Sequence, residues 1–596
     1  MKRFFGNVLA SILGGLILFF LLFFILIGLA ASLGNSSNEV IEVKEGSFLH
    51  LNITGVQIVD RNVSDPMAGF GLLFGGNSVA GVNDILIAIE RAEKDDRIAG
   101  ITLDLGFFAG GSALAKEIRD ALVRFKANSA KPIYSYGTFA NSKSYYIASV
   151  SDSIALNPSG VIEWTGMNLS VSYYKDLLDK IGVEVQVIRG SNNQFKSAVE
   201  PFLQNSMSEA NRTQLSTLAE DLWGFMLEEV AEGRNIDQTT LQSIADSIAI
   251  DKAQAALSLN FVDVLMHEDE WTNFLRKKTQ VLDGKKPLSI NFTKYTKSNS
   301  GSGTSYKNDR IAVLYAQGEF SPASDNYNVS EENMLEALEA ILKDDKVKAL
   351  ILRVNSPGGQ AYIADKMVRM LDKVKEKMPV VVSMGDLAAS AGYMISAVGD
   401  TVLAHPNTIT GSIGVFGMLL NYQDLMENKI GVRTEHVQTA AHSSMGSPDK
   451  PLDAFEKKWL QSSVDRYYGE FISHVARNRN LDSLFVDSIG QGRVWSGKRA
   501  LTLGLVDALG TFHDAQLAAI HLINNPDSVK YNYVSYPEPK DPFEEILTSL
   551  EQYSRSFIKP LWLDGTEIQK AQEFVTKWKD LSGKPIMRIE EELTIR

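Results

Sequence analysis

The amino-acid sequence predicts an α/β protein of two tandem repeats with appended helices, preceded by one N-terminal transmembrane helix. Three observations predict it: an apolar N-terminal stretch, short β-branched runs that alternate with helical patterns, and a long internal correspondence. With 596 residues and 44% hydrophobic composition, the chain can bury several cores. The expected organisation is an anchor over 1–34, a spacer over 35–50, the first repeat over 51–297, a linker over 298–309, the second repeat over 310–535 and a helical tail over 536–596.

The N-terminal residues 4–34 carry no charged side chain, and roughly 20 apolar residues span a bilayer. Lys2 and Arg3 precede this stretch and the next basic residue is Lys44, which predicts a cytoplasmic N-terminus and an external chain. A cleaved signal peptide is the alternative, favoured by the small residues 30–32. Because the apolar stretch is about twice as long as a usual signal-peptide core, we expect an uncleaved single-pass anchor in contact with membrane lipid.

Composition excludes several classes of function. The net charge of −13, with no basic block, argues against nucleic-acid binding. The chain has no cysteine, which excludes thiol catalysis, disulfides and thiolate metal sites. The sequence contains no recognisable cofactor or metal motif, so we expect neither a cofactor nor a metal.

The internal correspondence pairs residues 94–183 with residues 343–432. It includes the glycine pairs 110–111 and 358–359, and Ser142 with Ser390. The offset stays between 247 and 249 along the whole alignment, a register that coincidence cannot maintain. We therefore predict a duplication in which each copy alternates strand, glycine turn, helix, strand and helix, as parallel sheets do.

Ser390 lies where a predicted strand meets a predicted helix. Residues 380–382 are all valine, Gly385-Asp386 is expected to end that strand, and residues 388–398 are apolar at helical spacing. The first turn of a helix carries unpaired N–H groups that suit a developing oxyanion. Upstream, Gly358-Gly359 closes another predicted strand and can offer main-chain N–H groups. Each feature alone is more often a helix cap or a simple turn.

The two copies differ at the positions expected to carry chemistry. Lys196 of the first copy falls on Met445 of the second, and the small residues around Ser390 become Asn141-Ser142-Lys143 in the first. Each copy thus holds one half of a Ser/Lys pair. A serine nucleophile needs a base, and none of the eight histidines lies in a conspicuous motif. A lysine base must be neutral, so its pKa, ordinarily about 10.4, has to fall through burial in an apolar pocket; an isolated lysine is otherwise an ordinary surface residue.

At these residues the chain resembles the long, tandem-repeat form of signal peptide peptidase A, a family of membrane-anchored serine proteases of the Clp protease/crotonase structural class. The stretches that carry the resemblance are FKSAVEPF at 195–202, RVNSPGG at 353–359, SMGDLAASAGYMISA at 383–397 and TGSIGVFG at 410–417. The resemblance spans residues 1–535, including the anchor and the duplication. It implies two tandem Clp/crotonase-like repeats.

The resemblance implies a role for each matching residue. Ser390 would be the nucleophile and Lys196 the general base. Ser412 would supply the hydroxyl that orients the amine. The main-chain N–H groups of Gly359 and Ala391 would form the oxyanion hole, and Gly358 would shape the turn that presents them. Ala391 stands where the family often has glycine, a change that keeps the N–H group and narrows the pocket beside the nucleophile.

The resemblance also implies peptide substrates, namely signal peptides already cut from secreted proteins and left in the membrane. It implies a homo-oligomer, commonly a tetramer, at the inner membrane with its catalytic region in the periplasm. Two other functions stay open: a catalytically silent scaffold or peptide-binding protein, and an acyl-CoA hydratase or isomerase on the same fold. The hydratase predicts carboxylates at the oxyanion turns and a cytosolic chain, and the sequence shows neither. The sequence leaves open whether Lys196 and Ser390 pair within one chain or between chains.

Overall fold

The structure, a computed structural model, describes residues 42–61, 79–281, 285–298, 309–322, 328–523, 531–538, 586–588 and 594–595, and positions 14, 15, 17, 18 and 20. None of the helices in these ranges is both long enough and apolar enough to span a bilayer. The expected anchor over 1–34 and linker over 298–309 lie almost wholly outside the described residues, as do the helices expected in the tail.

The first repeat alternates strands and helices. Its strands are β1 (Ser47–Leu51), β2 (Gln57–Val59), β3 (Val79–Gly81), β4 (Ile98–Asp104), β5 (Ile133–Ala140), β6 (Ser153–Ile162), β7 (Leu169–Ser170), β8 (Glu184–Arg189), β9 (Val264–Leu265) and β10 (Ser289–Asn291). Its helices are α1 (Val82–Lys94), α2 (Ser112–Ser129), α3 (Ser142–Ala148), α4 (Lys175–Ile181), α5 (Glu200–Leu203), α6 (Glu209–Arg234), α7 (Gln238–Ser247), α8 (Ala253–Ser258), α9 (Glu268–Lys278) and α10 (Phe292–Lys297), and a 3₁₀ turn covers Ser197–Val199.

The second repeat follows the same alternation. Its strands are β11 (Arg310–Gln317), β12 (Phe320–Ser321), β13 (Val329–Ser330), β14 (Val347–Ser356), β15 (Gly358–Gln360), β16 (Val380–Ala389), β17 (Thr401–Ala404), β18 (Ile409–Gly411), β19 (Phe416–Asn421), β20 (Val494–Ser496), β21 (Ala508–Leu509) and β22 (Asn532–Tyr536), and the tail adds β23 (Ile586–Arg588) and β24 (Thr594–Ile595). Its helices are α11 (Glu331–Lys343), α12 (Ala361–Lys377), α13 (Ala391–Ser396), α14 (Ala454–Arg479), α15 (Ser483–Ile489), α16 (Gly497–Thr502) and α17 (Phe512–Leu522), and a π-helical turn covers Leu425–Ile430.

Each repeat has its own sheet, parallel throughout in the first repeat and parallel in the second except where β20 pairs antiparallel with β18. In the first, the order is β10-β1-β4-β5-β6-β9 and every pairing is parallel. In the second, the order is β20-β18-β16-β14-β11-β22, and β17 pairs with β16. Helices cover these sheets, so central strands such as β14 and β16 are buried along most of their length. The predicted α/β class and tandem repeat are confirmed.

A third sheet joins the two repeats. Its order is β13-β12-β15-β23-β19-β8, and β8 of the first repeat pairs antiparallel with β19 of the second, from Glu184 opposite Asn421 to Arg189 opposite Phe416. Apolar side chains of both repeats form one buried cluster, which includes Val199 and Phe202 of the first repeat and Phe416 of β19. The segment that carries Lys196 is therefore packed directly against the second repeat.

The boundary between strand and helix at Ser390 differs from the expectation. We expected Gly385-Asp386 to end the strand, but β16 continues to Ala389. The reason is that residues 387–389 find parallel partners in residues 409–411 of β18, and that pairing overrides the helical spacing of the apolar residues. The helix begins only at Ala391.

Candidate active site

Ser390 links strand β16 to helix α13. Its backbone has φ 56° and ψ −116°, a combination that residues other than glycine rarely adopt. The Ser390 N–H donates to the carbonyl of Gly411 at 2.8 Å, and the Ser390 carbonyl accepts from the N–H of Met394 at 2.8 Å. The strained turn is thus held by hydrogen bonds on both sides.

Lys196 meets this serine within a single chain. Its Nζ lies 2.8 Å from Ser390 Oγ, 2.9 Å from Ser412 Oγ and 3.1 Å from the Ser412 carbonyl oxygen. All three residues are at most 1% exposed. A neutral amine has a lone pair that can accept the serine proton, and burial disfavours the charged form of an amine. The three side chains can therefore form a nucleophile, a base and a group that holds the base.

A loop of the second repeat receives the lysine. The Phe195 N–H donates to the Gln491 carbonyl at 2.9 Å, and the Gly492 N–H donates to the Ile413 carbonyl at 2.7 Å. A Cβ atom on Gly492 would lie 2.5 Å from Lys196 Cβ, and the φ of Gly492 is +80°. Glycine is therefore required here both for its conformation and for the close approach of the lysine backbone.

Two residues that the sequence analysis missed hold the segment around Lys196 in place by hydrogen bonds. The Gln214 side-chain amide donates to the Phe195 carbonyl at 3.0 Å and to Ser197 Oγ at 3.1 Å. Asn193 Nδ2 donates to the Val415 carbonyl at 2.9 Å, across the repeat boundary. Asn193 is near Lys196 in sequence, which is a weak signal. Gln214 lies on a helix that the sequence marked only as appended, and nothing in the sequence linked it to the site.

The two predicted oxyanion donors belong to neighbouring elements, because helix α13, which Ala391 begins, packs against β15, which contains Gly359. The φ of Gly359 is +148°, and a Cβ atom there would lie 2.4 Å from the Phe320 carbonyl oxygen. The Gly358 N–H donates to Ser356 Oγ at 3.2 Å. The first N–H groups of a helix have no intrahelical acceptor, so that of Ala391 suits an oxyanion.

A cavity of about 300 Å³ adjoins the lysine, and Lys196 and Ser412 form part of its wall. Much of the remaining lining is apolar and includes Leu215, Leu218 and Leu222, which share one face of α6. Such a pocket suits an apolar side chain.

An extended segment pairs beside the oxyanion turn. Strand β23 runs antiparallel to β15, with Gly359 opposite Met587, and on its other side Phe416 of β19 pairs with Ile586. The space between β15 and β19 therefore accommodates an extended backbone by β-strand addition.

Within the described ranges, one group of side chains has the spacing of metal ligands: His442, Asp453 and Glu456. Asp453 and Glu456 form the capping box of helix α14, and Lys450 Nζ lies 3.3 Å from Glu456 Oε1. The helix cap and the neighbouring ammonium group account for this cluster without an ion.

Comparison with known proteins identifies similar peptidases. The sequence pattern of peptidase family S49 matches twice, over residues 125–282 and 372–524. Protease 4 of Haemophilus influenzae is 33% identical over 86% of this chain and 82% of its own length. Protease 4 of Salmonella typhi is 33% identical over 83% of this chain and 81% of its own. The chloroplastic serine protease SPPA of Arabidopsis thaliana is 28% identical over 85% of this chain and 74% of its own.

Proposed function

Since the chain belongs to peptidase family S49, we propose that it is a membrane-anchored serine endopeptidase whose nucleophile is Ser390 and whose general base is Lys196. The family and the relatives named Protease 4 support a serine peptidase. The observation that carries the proposed dyad is the 2.8 Å separation between Lys196 Nζ and Ser390 Oγ.

The proposed reaction passes through an acyl-enzyme. Neutral Lys196 takes the hydroxyl proton as Ser390 Oγ attacks the peptide carbonyl carbon. The N–H groups of Gly359 and Ala391 stabilise the oxyanion. The lysine ammonium then gives its proton to the leaving amine, and the C–N bond breaks. In the second half Lys196 takes a proton from water as the water oxygen attacks the ester carbonyl carbon. The bond between that carbon and Ser390 Oγ then breaks, Oγ takes the proton back from the lysine ammonium, and the carboxylic product leaves.

Ser412 is proposed to orient the base. Its hydroxyl and its carbonyl oxygen both lie within hydrogen-bond distance of Lys196 Nζ, at 2.9 and 3.1 Å. Two contacts on one amine restrict its rotation and allow its lone pair to be directed at Ser390 Oγ, 2.8 Å away. This arrangement accounts for a buried serine hydroxyl that has an amine rather than a histidine beside it.

We propose that the substrates are signal peptides that have been cut from secreted proteins and remain in the membrane. The apolar cavity beside Lys196 supports apolar side chains, and the pairing of β23 with β15 supports an extended peptide. The N-terminal apolar stretch would hold the enzyme at the inner membrane with its catalytic region in the periplasm, as a homo-oligomer, commonly a tetramer in this family.

The matched serines of the two repeats provide the test. We expect Ser390→Ala to lower cleavage of an apolar fluorogenic peptide by about 10³-fold or more and to abolish labelling by a fluorophosphonate. Ser142→Ala, the same change at the matching position of the first repeat, should leave both unchanged. Cleavage retained by Ser390→Ala would disprove the assigned nucleophile, and a wild-type protein without cleavage or labelling would favour the silent scaffold.

The membrane proposal has its own test. The mature protein should keep its full-length mass, sediment with inner membranes and degrade a labelled signal peptide embedded in lipid vesicles. A mature mass that lacks the first 30 or so residues would instead identify a cleaved signal peptide.

A further inference from the structure

The glycine turn of the first repeat is occupied by a carboxylate from the second repeat. Asp386 Oδ1 accepts hydrogen bonds from the N–H groups of Ala113 at 2.7 Å and Leu114 at 3.4 Å. A Cβ atom added to Gly111 would lie 1.9 to 2.1 Å from the carboxyl atoms of Asp386. The side chain therefore fills the space that glycine leaves at the start of helix α2.

The chemistry of this contact suits a carboxylate. Helix α2 is 18 residues long, and its N-terminus presents unpaired N–H groups and partial positive charge. Desolvation raises the pKa of Asp386, and the charge of Asp60 raises it further, while the Ala113 N–H and Lys143 oppose the shift. Lys143 Nζ in turn donates to the Gly110 carbonyl at 2.9 Å. The pKa of Asp386 is raised overall, so the helix N–H groups and Lys143 offset part of the cost of burying this carboxylate.

Asp386 lies in the irregular part of the strand that carries the nucleophile. The pairing of β16 with β14 shifts register between Val354 and Ser356. Side chains hold the segment there: Thr408 Oγ1 donates to the Gly385 carbonyl at 2.8 Å, and the Leu387 N–H donates to Asn355 Oδ1 at 3.0 Å. Asp386 adds a hydrogen-bonded contact to the other repeat, four residues before Ser390.

We propose that Asp386 is a positioning residue: by inserting into the glycine turn of the first repeat, it sets the distance between Ser390 and the lysine that the first repeat supplies. The inference rests on the proposed Ser/Lys dyad. Because Lys196 and Ser390 belong to different repeats, their separation depends on how the strand end of one repeat is fixed to the other. The turn at Gly110-Gly111, which matches the predicted oxyanion turn at Gly358-Gly359, thereby binds β16, the strand that leads to Ser390.

Replacement of Asp386 should therefore affect the chemical step. A displacement of about 1 Å at a reacting group can cost about 10²-fold in rate, so we expect Asp386→Ala to lower kcat, measured at saturating peptide, by about 10- to 100-fold. The test rests on kcat and not on KM, because Asp386 also lines the cavity beside Lys196. Labelling of Ser390 by a fluorophosphonate should slow in parallel. Asp386→Asn keeps an oxygen acceptor for Ala113 and should recover most of the loss. A residue needed only for folding would instead lower thermal stability and leave the kcat of the folded fraction unchanged.

The same contact can be broken from the first repeat. Gly111→Ala should displace the Asp386 side chain and lower kcat without altering any residue of the second repeat. Gly224→Ala is the matched control, because a Cβ atom there meets nothing within 4 Å. In an Asp386→Ala background, Gly111→Ala should add less than about twofold, whereas independent effects would multiply.

The outcomes separate this inference from the proposed function. Failure of Ser390→Ala to abolish activity would refute the dyad itself. With the dyad intact, wild-type kcat and labelling in folded Asp386→Ala or Gly111→Ala, or multiplied losses in the double variant, would overturn the positioning role. If Gly111→Ala does not fold, Asp386→Ala and Asp386→Asn still decide, since equal kcat values for the two would overturn the inference.

Discussion

The two repeats place a glycine pair at matching positions between a strand and a helix, but the two pairs differ in backbone conformation and in what contacts them: φ is 148° at Gly359 and −75° at Gly111. In the second repeat the turn at Gly358-Gly359 pairs with an extended segment, β23. In the first repeat the turn at Gly110-Gly111 receives the side chain of Asp386. A duplicated framework can thus leave one turn available to an extended backbone while the other attaches one repeat to the other.

The frameworks themselves are closely matched. Tyr145 and Tyr393 are both fully buried, and each hydroxyl donates to a main-chain carbonyl at 2.9 Å. Asp152 and Asp400 accept hydrogen bonds from the N–H groups of Ile133 and Val380, the first residues of β5 and β16, at 2.8 Å in both cases. The differences in chemistry therefore arise on a common scaffold.

The two copies differ at the position that contacts the lysine amine. Ala140 pairs with Ile162 in the first repeat as Ala388 pairs with Thr410 in the second. Two residues further on, the second repeat has Ser412 and the first has the buried indole of Trp164. The position that holds a small hydroxyl against the amine in one copy is filled by an aromatic core residue in the other.

The largest loss of activity is expected on replacement of Lys196, the residue of the first repeat that contacts Ser390 of the second. Lys196→Arg should lower kcat/KM by about 10³-fold or more, because a guanidinium cannot be deprotonated in proteins and so cannot act as a base. Lys196→Met, which places the residue of the matching position 445 at 196, should be equally inactive. Lys175→Arg, at a surface lysine of α4, is the control. Near wild-type cleavage by Lys196→Arg would place the base elsewhere and break the division of roles between the repeats.

A smaller loss of kcat is expected on removal of the Ser412 hydroxyl, which has no counterpart at the matching Trp164 of the first repeat. Ser412→Ala removes one of the two oxygen atoms by which Ser412 contacts Lys196 Nζ, and leaves the carbonyl. We expect kcat to fall by about 10- to 100-fold with KM nearly unchanged. Ser135→Ala removes a buried serine of the first repeat, hydrogen-bonded to Ser151 at 2.6 Å, and should keep wild-type kcat. Equal kcat for Ser412→Ala and wild type would remove Ser412 from the site.

The sequence predicted the parts of this comparison that depend on local pattern. Hydrophobic spacing and the repeat register pointed to the strand before Ser390, to the glycine turns and to Lys196, whose amine lies 2.8 Å from the serine hydroxyl. The predicted end of that strand, at Gly385-Asp386, was wrong by several residues. The helical spacing of the apolar residues is outweighed there by the pairing of β16 with β18. The contact of Asp386 with Ala113 joins residues 273 positions apart, and no local pattern marks such a pair.

A several-fold change in KM is expected on removal of β23, the strand that pairs with the turn at Gly358-Gly359. If a peptide substrate pairs with β15 in the register that β23 occupies, the tail strand must leave before the peptide binds. Removal of residues 586–596 should then lower KM for an extended peptide several-fold, since it removes a competing intramolecular strand. Removal of residues 589–596 alone, which keeps β23, is the control. An unchanged KM in the longer truncation would place the substrate on another edge.

The smallest effect on activity is expected on replacement of Glu117, a buried residue at the contact between the repeats. The change there should be in the free energy of unfolding. Glu117 of the first repeat lies 2.8 Å from both Arg353 Nη1 and His405 Nε2 of the second. Burial alone would raise the pKa of Glu117, but Arg353 and His405 outweigh burial and lower it to about 2.

Because this pKa is lowered on folding, the ionised carboxylate stabilises the protein above the ordinary glutamate pKa, and that stability is lost as the pH falls towards about 2. Glu117→Gln should lower the free energy of unfolding at neutral pH by about 3 kcal/mol, and the difference from wild type should shrink as the solution is acidified. Glu228→Gln, at an exposed residue 3.9 Å from Lys498, should change stability little at any pH. Denaturant titrations from pH 7 to pH 3 measure both differences. A Glu117→Gln difference that stays constant with pH would show that the carboxylate charge does not hold the two repeats together, and the anchoring of one repeat on the other would then depend on contacts such as that of Asp386.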